Sequence, residues 1–373
     1  MARDAVNPGK KDSFGFEARP YVGLNLPMDQ TSLGFSYFNS SSWYEARSRT
    51  QADAWDFTHE ATLKFDHAFS PRYRIGVHED VLYGQEPDTT TTGITVTPQR
   101  INSSYLRNVA AFTFFGQLTQ QLGLSVNYNN TYWDYFQTGP GSYAALLDRM
   151  EHLIPVSVSW QVKPDLSLLA GYNFGLENYT GNNLLYPIGT IPNFRSSDRD
   201  SISHSIYLGG DYDITGQLKV SLRGGAQYTT YEHFSGNDQW TPYVDCSVGY
   251  TYLPGSHADL GFKHSMSATD MAASDGTRPT LDQEISAIYL NVNHQITAKL
   301  SANVLAQYQL ADFHGGSANA QSEQFFLLGT YLNYRVNPFL AFEAGYNFDY
   351  LDSDIAMRGY TRNRVFLGVR ATY

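Results

Sequence analysis

The chain ends on residues 339–373, which read FLAFEAGYNFDYLDSDIAMRGYTRNRVFLGVRATY. From Leu340 to Tyr350 every second residue is apolar, and the residues between them are polar or small. After a short polar loop, the same alternation returns from Val365 to Tyr373. Because successive side chains of a β-strand point to opposite faces, this stretch predicts two strands, each with one apolar face and one polar face.

The polar face of these two strands decides which class of β protein they belong to. It carries Glu343, Asp349, Arg364 and Arg370. A dry sandwich core could hold these charges only if each found a partner. If the apolar face meets lipid and the polar face meets a watery lumen, both faces are satisfied, which is the strand pattern of a transmembrane β-barrel.

The rest of the chain repeats this pattern of paired strands joined by turns and loops. Short turns recur at intervals of roughly 40 to 50 residues, about two tilted strands and a loop. Longer segments rich in Thr, Gly, Asn, Asp and Pro connect the other strand ends, an asymmetry typical of outer-membrane barrels. The short turns are Ser70-Pro71, Thr119-Gln120-Gln121, Lys163-Pro164-Asp165, Thr215-Gly216, Pro254-Gly255-Ser256, Thr297-Ala298-Lys299 and Asn337-Pro338; the long segments include 86–98, 137–142, 180–200, 267–279 and 312–320.

The sequence therefore predicts an all-β protein, a transmembrane antiparallel up-and-down β-barrel of about 16–18 strands with short periplasmic turns and long extracellular loops. Residues 1–373 form this single barrel, and residues 1–13 are a polar tail or a truncated outer loop. Counting gives roughly seventeen strands, whereas bacterial barrels usually have an even number. Either a strand upstream of this chain brings the total to about eighteen, or residues 14–26 are not a full strand and the total is about sixteen.

Composition excludes several other classes of protein. Mean hydropathy is negative and no run approaches the roughly 18 apolar residues of a spanning helix, so a helical membrane protein is excluded. A net charge of -11 argues against a nucleic-acid partner. The single cysteine excludes an internal disulfide framework. No signal peptide is visible after Met1, so the outer-membrane location expected for this chain implies a mature, exported form.

The polar positions of the predicted strands, which alternate with the apolar ones, include candidate lumen and selectivity residues of both charges. Opposed acids and bases across a pore would set a transverse field and a size limit. The alternative is that they are solvated, mutually paired wall residues with no specific ligand. The candidates are Glu60, Lys64, Asp66, Arg74, His78, Asp80, Arg223, Asp245, Lys263, Glu343, Asp349, Arg364 and Arg370.

Catalytic and metal-binding patterns are weak, and the sequence predicts no catalytic residue, cofactor or metal, hence no enzyme. His264-Ser265 with Ser267 resembles the strand-borne Ser and His of membrane phospholipases, but the neighbouring Asn-Gly of that family is absent. The acidic residues near Asp354 lack the Gly and distal Glu of a calcium loop. The aromatic run 132–136 predicts an interface girdle, with a sugar-stacking platform as the alternative.

One family resemblance rests on the N-terminal part of the chain. The segments 33–37, 43–44, 59–74, 77–80 and 85–87 are similar to the type 2 β-barrel porins of Gram-negative bacteria, especially versions from Verrucomicrobia-like lineages. The resemblance implies an outer-membrane barrel, and some relatives belong to exopolysaccharide export loci. It also implies an additional strand ahead of residues 10–14, and it transfers no functional residue.

The leading functional hypothesis is an outer-membrane porin for passive or weakly selective diffusion of small hydrophilic solutes, because so wide a lumen is not filled by its own wall. The alternatives are a conduit for exopolysaccharide export, with periplasmic partners, and a plugged structural or adhesive barrel. Expected partners are the lipid bilayer with lipopolysaccharide, the solutes, and the barrel-assembly machinery acting through the C-terminal strand that ends at Tyr373.

Overall fold

The computed structural model describes residues 12–48, 53–85, 103–186, 193–234, 236–356 and 358–373. Within these ranges almost all regular structure is β-strand, with two short helices, α1 (Glu45–Ser48) and α2 (Tyr143–Leu147), and 3₁₀ turns at Ser196–Arg199 and Gly316–Ala318. The strands are β1 (Gly15–Ala18), β2 (Tyr21–Pro27), β3 (Thr31–Tyr44), β4 (Trp55–Ser70), β5 (Tyr73–Gly84), β6 (Tyr105–Gln117), β7 (Leu122–Tyr135), β8 (Arg149–Lys163), β9 (Leu166–Tyr179), β10 (Ser201–Asp213), β11 (Leu218–Tyr231), β12 (Gln239–Leu253), β13 (Ser256–Ala268), β14 (Asp282–Gln295), β15 (Leu300–His314), β16 (Ser322–Asn337), β17 (Leu340–Ser353) and β18 (Tyr360–Ala371).

The strands form one antiparallel up-and-down sheet. From β3 to β18, each strand pairs with the next strand along the chain. The predicted fold class is confirmed. In the described part of the chain no helix is long and apolar enough to cross a membrane.

Strands β1 and β2 act as one strand with an interruption. Both pair with β3, β1 along residues 41–44 and β2 along residues 32–38. The break falls at Arg19-Pro20, because proline has no N–H to donate to the ladder. Residues 15–27 therefore do cross the wall, and the wall has seventeen passes in the described ranges, as counted from the sequence.

The sheet is not closed in the described part of the chain. Strand β18 pairs with β17, and the β1–β2 strand pairs with β3, which leaves one edge of each without a partner strand. Both of these edge strands run from the long-loop end of the sheet towards the short-turn end. Val365 and Leu367 of β18 are 78% and 85% exposed as a result.

Loop lengths differ sharply between the two ends of the sheet. At one end, β4 gives way to β5 across two residues and β8 gives way to β9 across two residues. At the other end, residues 180–200 connect β9 to β10 and residues 269–281 connect β13 to β14. The long segment 86–98 of the sequence prediction lies outside the described residues.

The two faces of the sheet differ as the alternation predicts. One face, here called the outer face, exposes large apolar side chains such as Leu63, Leu208 and Trp240. Exposed apolar surface on this scale marks a face that meets lipid or another protein. The opposite face, here called the inner face, carries most of the charged side chains of the wall and positions the candidate site.

Candidate pore and its constriction

The first group of candidate residues on the inner face lies on β4 and β5. Lys64 stands directly opposite His78, and Asp66 stands opposite Gly76. These side chains, together with Arg74, line a pocket of about 330 Å³. The Arg74 guanidinium also lies 4.6 Å from the ring centroid of Phe115, an arrangement that favours the cation.

Nearer the long-loop end of the same two strands, Asp80 has two hydrogen-bond partners. It accepts hydrogen bonds from the Thr62 hydroxyl at 3.1 Å and from the Arg107 guanidinium at 3.1 Å. Glu60 lies on the same face, opposite Leu82. Arg107 was missed by the sequence analysis, although its place opposite Leu82 in the ladder puts it on the polar parity.

A second group forms a ladder of alternating charge across three neighbouring strands. Arg223 stands opposite Asp245, and Asp245 stands opposite Lys263. Arg223 also donates to Asp211 on the strand to its other side, at 3.1 Å. Acid and base therefore alternate between neighbouring strands along this part of the inner face.

The third group occupies the last two strands. Arg370 forms an ion pair with Glu343. Asp349 is fully buried and pairs with Arg362 and, at 3.5 Å, with Arg364. Asp349 thus contacts arginines and not lumen water, which its parity alone does not reveal. Arg362 lies on the same face of β18 as Arg364, although the sequence analysis placed it in the polar loop before that strand.

An aromatic and charged cluster that the sequence analysis missed lies on the inner face of β7 to β9. The Trp133 ring is flanked by Arg107 at 5.8 Å and Arg149 at 5.3 Å. Arg149 in turn pairs with Glu151 at 2.6 Å and Glu177 at 3.9 Å. The cluster borders a cavity of about 640 Å³ that reaches across the inner face to β14.

The position of this cluster corrects the interface-girdle prediction for Trp133 and Tyr135 of the run 132–136. Trp133 and Tyr135 share the inner parity with Thr131, whereas Tyr132 points to the outer face. Two arginines approach the Trp133 ring, so a sugar that stacked there would compete with their guanidinium groups. The alternation within β7, with Leu124 and Val126 outward, was the signal that could have placed Trp133 inside.

The long loops at the outer end fold over the mouth of the sheet. Arg199, in the loop between β9 and β10, is 1% exposed. Its guanidinium donates to the carbonyls of Thr269 and Met271 at 3.4 and 3.1 Å, and to the carbonyl of Leu146 in α2. It also lies 4.1 Å from the ring centroid of Tyr179. One arginine therefore joins three loops that belong to separate hairpins.

The β13–β14 loop is held from the other direction as well. Arg358, in the β17–β18 loop, donates to both carboxylate oxygens of Asp270 at 3.0 Å. It also pairs with Glu323 at the start of β16. A loop that bonds to hairpins on both sides of its own must lie across the mouth, so residues 269–281 narrow it.

Beneath these loops the inner face includes clusters of buried apolar side chains, which corrects the expectation of a polar lining throughout. Ile285, Ala287 and Ala311 form one buried cluster of inward side chains. Leu305, Phe325, Leu327, Leu351 and Tyr360 form a second. Their burial stabilises the folded loops by the hydrophobic effect and reduces the open width of the lumen at this end.

Two carboxylates of the loops have shifted pKa values in opposite directions. Burial raises the pKa of Asp148 to about 6, against the hydrogen bond that it accepts from the Tyr135 amide at 2.7 Å. The pKa of Asp354 lies below its usual range, because the backbone N–H and the hydroxyl of Ser322 both donate to it. The two loops thus respond differently to pH.

The arrangement gives no support to the weaker chemical patterns. His264 lies on the outer face, bonded to Ser286 and Glu284 at 2.8 Å each, whereas Ser265 lies on the inner face. The two neighbours in sequence therefore cannot form a catalytic pair. Among the described residues, no group of three or more His, Cys, Asp or Glu side chains could hold a metal ion.

An antiparallel up-and-down sheet with an apolar exterior, a charged interior and loops sorted by length defines an outer-membrane-type β-barrel. The chain belongs to the family described as Putative beta-barrel porin 2, whose model matches residues 40–373. The match says nothing about the bacterial lineage from which the chain comes. Porin-family membership favours transport over catalysis.

Solved structures show the same fold. An FrpB iron transporter of Neisseria meningitidis (F5-1 variant) has 12% identity and a TM-score of 0.52, covering 91% of this chain and 62% of that one. The copper transporter OprC has 8% identity and a TM-score of 0.51, covering 97% and 67%. In the first three structural matches, this chain covers between 58% and 67% of the length of the matched chain. No curated protein matches. At such low identity the likeness shows the fold alone, and together with the family it supports an outer-membrane location.

Proposed function

We propose that this barrel is an outer-membrane channel for the passive, weakly selective diffusion of small hydrophilic solutes. The observation that carries the proposal is the inner face, where charges of both signs border a cavity of about 640 Å³ beneath loops that narrow the mouth. A lumen lined by paired charges admits hydrated solutes and discriminates mainly by size and net charge.

The charged groups give the channel its expected selectivity. Residues such as Lys64, Asp245 and Arg370 act in the proposal as wall charges that set the transverse field. The net charge of -11 favours cations modestly. In the proposal, the loops that fold over the outer mouth and the apolar packing beneath them form the constriction of the route.

Reconstitution of the purified barrel into planar bilayers tests the proposal. Discrete ohmic steps with a reversal potential that favours cations are expected. A silent bilayer would favour a plugged barrel or an export conduit that needs periplasmic partners, and a preference for anions would contradict the proposed role of the net charge.

Swelling of proteoliposomes in sugars of increasing size gives the size limit independently. We expect entry of small sugars to be faster than entry of larger ones, with a cut-off set by the loop constriction. Entry that does not depend on size would contradict a constricted lumen. Assembly of the channel by the barrel-assembly machinery is proposed to begin at the C-terminal strand β18 and the exposed Tyr373 that follows it.

A further inference from the structure

Four hydrogen-bonded tyrosine–histidine pairs stack in the described wall, and three of them lie on the outer face between an ascending strand and the next descending strand; the fourth, Tyr252–His294, joins two descending strands near their short-turn ends. Those three pairs are Tyr37–His59, Tyr128–His152 and Tyr172–His204. In that order, the distance from the tyrosine hydroxyl to the histidine Nδ1 is 2.8, 2.8 and 2.7 Å. The ring centroids lie 6.2, 6.0 and 6.1 Å apart, with interplanar angles of 28°, 23° and 27°. Three separate hairpins thus build the same unit.

Hydrogen bonding assigns the proton of the imidazole in the first two units. The amide nitrogens of Asn39 and Asn130 lie 3.2 and 3.3 Å from the same Nδ1 atoms. Each of these amides also donates to a backbone carbonyl, of Thr58 at 3.2 Å and of Glu151 at 3.1 Å, which fixes its orientation. An amide N–H can only donate, so Nδ1 accepts and the ring proton lies on Nε2.

The three units lie at a common height on the outer face. Each histidine is about ten residues before the short-turn end of its strand. In a tilted barrel strand that corresponds to about 25 Å along the axis, which matches the height of the apolar band of an outer-membrane barrel. On the short-turn side of the histidines the outer face is apolar, as at Leu63 and Leu208. The units therefore mark the boundary of that band nearest the long loops.

In the first two units the Nε2–H lies on the side of the ring away from the tyrosine, and in all three units the hydrogen bonds to described residues are made by Nδ1. A donor left unpaired at the edge of the hydrocarbon region costs free energy. At this level the acceptors outside the protein are water and lipid head groups, and among them the phosphate oxygens are the strong, anionic acceptors.

We propose that the imidazoles of His59, His152 and His204 form a belt that binds phosphate groups of outer-leaflet lipids. In each unit the tyrosine hydroxyl orients the imidazole through its hydrogen bond to Nδ1, and the Nε2–H donates to a phosphate oxygen. The belt fixes the depth at which the barrel sits in the membrane. Lipid binding by this belt does not depend on whether the lumen conducts, so an experiment that contradicts the channel function leaves the belt untouched, and the reverse also holds.

The test uses lipid A and the same lipid A after enzymatic removal of its phosphates, titrated onto the purified barrel in detergent. The variant replaces all three histidines by phenylalanine, H59F/H152F/H204F, which keeps an apolar ring at each position. The matched control is His257→Phe, the same change on the inner face. Heat-dependent mobility in gels confirms that each variant is folded.

We expect wild type to bind phosphorylated lipid A at least about tenfold more tightly than the dephosphorylated form, since hydrogen bonds to charged groups add measurable affinity. The triple variant should lose this preference, and His257→Phe should keep it. Equal binding of both lipids by wild type, or a preference retained in the triple variant, overturns the proposal. So does full displacement of the lipid by inorganic phosphate at equal concentration, which would show a site for the free ion.

If the triple variant does not fold, the single variants His59→Phe, His152→Phe and His204→Phe replace it. Each should reduce the preference for phosphorylated lipid A by a smaller factor in the same direction. The three tyrosine-to-phenylalanine changes should act likewise, because an imidazole without its hydroxyl partner is free to turn. Single variants that all keep the wild-type preference contradict the belt.

Discussion

Arg199 and Arg358 form hydrogen bonds to neighbouring residues of the β13–β14 loop, and they come from the loops of hairpins on either side of it. Arg199 bonds to the carbonyls of Thr269 and Met271, and Arg358 bonds to the Asp270 carboxylate between them. Neither arginine is on a strand, but the wall also holds the loop, through the hydrogen bond from the Leu281 amide to the carbonyl of His314 at the end of β15. The two arginines therefore add side-chain contacts that keep the loop over the mouth.

The first prediction concerns Arg358. Replacing it by alanine leaves the largely buried carboxylates of Asp270 and Glu323 without a cation, which costs about 3 kcal/mol or more when one partner of a buried ion pair is removed. The β13–β14 loop should leave the mouth, and single-channel conductance should rise. Arg72→Ala, an exposed change at the short-turn end, is the matched control. Unchanged conductance in Arg358→Ala would show that the loop does not constrict the pore.

The second prediction concerns Gly316 and depends on a close approach. This residue has φ +59°, and a Cβ there would lie 1.7 Å from the Ala273 carbonyl oxygen. Gly316→Ala should therefore push the β13–β14 loop outward and increase its cleavage by added protease. Gly276→Ala is the control, because Gly276 also has a positive φ (+94°) but has open space around its Cβ position. Equal protease sensitivity of the two variants would contradict the clash.

The third prediction concerns the exposed ion pair of Glu343 and Arg370. Arg370→Ala removes a cation and leaves Glu343 facing the lumen, so cation preference should increase. The reversal potential in an about tenfold KCl gradient should shift by roughly 5 mV or more, a modest change because exposed charges are screened. Glu343→Gln should shift it in the opposite direction. If neither variant changes the reversal potential or the conductance, the pair does not contribute to selectivity.

The fourth prediction is a pair of pH effects with opposite signs. The folded pKa of Asp148 is raised to about 6, so folding favours its neutral form, and the ionised form lowers stability as pH rises from about 4 through 6. Asp148→Asn should therefore raise the melting temperature at pH 7.5 and have little effect near pH 3.5. The folded pKa of Asp354 is lowered, so its contribution is present at neutral pH and is lost as pH falls through that folded pKa.

Asp354→Asn thus serves as the counterpart. It should lower the melting temperature slightly at pH 7.5, because Ser322 loses a charged acceptor, and the difference should disappear in acid. Thermal scans of both variants across this pH range provide the measurement. A stabilising effect of Asp148→Asn that persists unchanged at pH 3.5 would rule out burial of the charge as its cause.

The strands and the short turns could be predicted from the sequence because lipid imposes a period of two on every pass. Leu340 to Tyr350 shows this alternation without interruption, and the structure has β17 there. Turn residues such as Ser70-Pro71 and Lys163-Pro164 mark the short ends for local steric reasons. Where alternation and position conflicted, as at Trp133, alternation was the better guide.

The constriction could not be predicted in the same way. Arg199 and Asp270 lie in loops that have no period, and their contacts depend on the path each loop takes over the mouth. The apolar positions Ile285, Phe325 and Leu351 break the polar lining because they pack under those loops and not against water. Such long-range contacts leave no local mark in the sequence.

Strand β18 and the β1–β2 strand descend in the same direction, and this has a consequence for how the cylinder is completed. In an antiparallel sheet each strand runs opposite to its neighbour, so two edge strands that run in the same direction cannot pair with each other in this way. Nor can their backbone amides and carbonyls be left facing hydrocarbon. Whatever segment seals both margins by antiparallel pairing has to ascend from the periplasmic rim to the cell surface, hydrogen-bonded to a neighbour on either side.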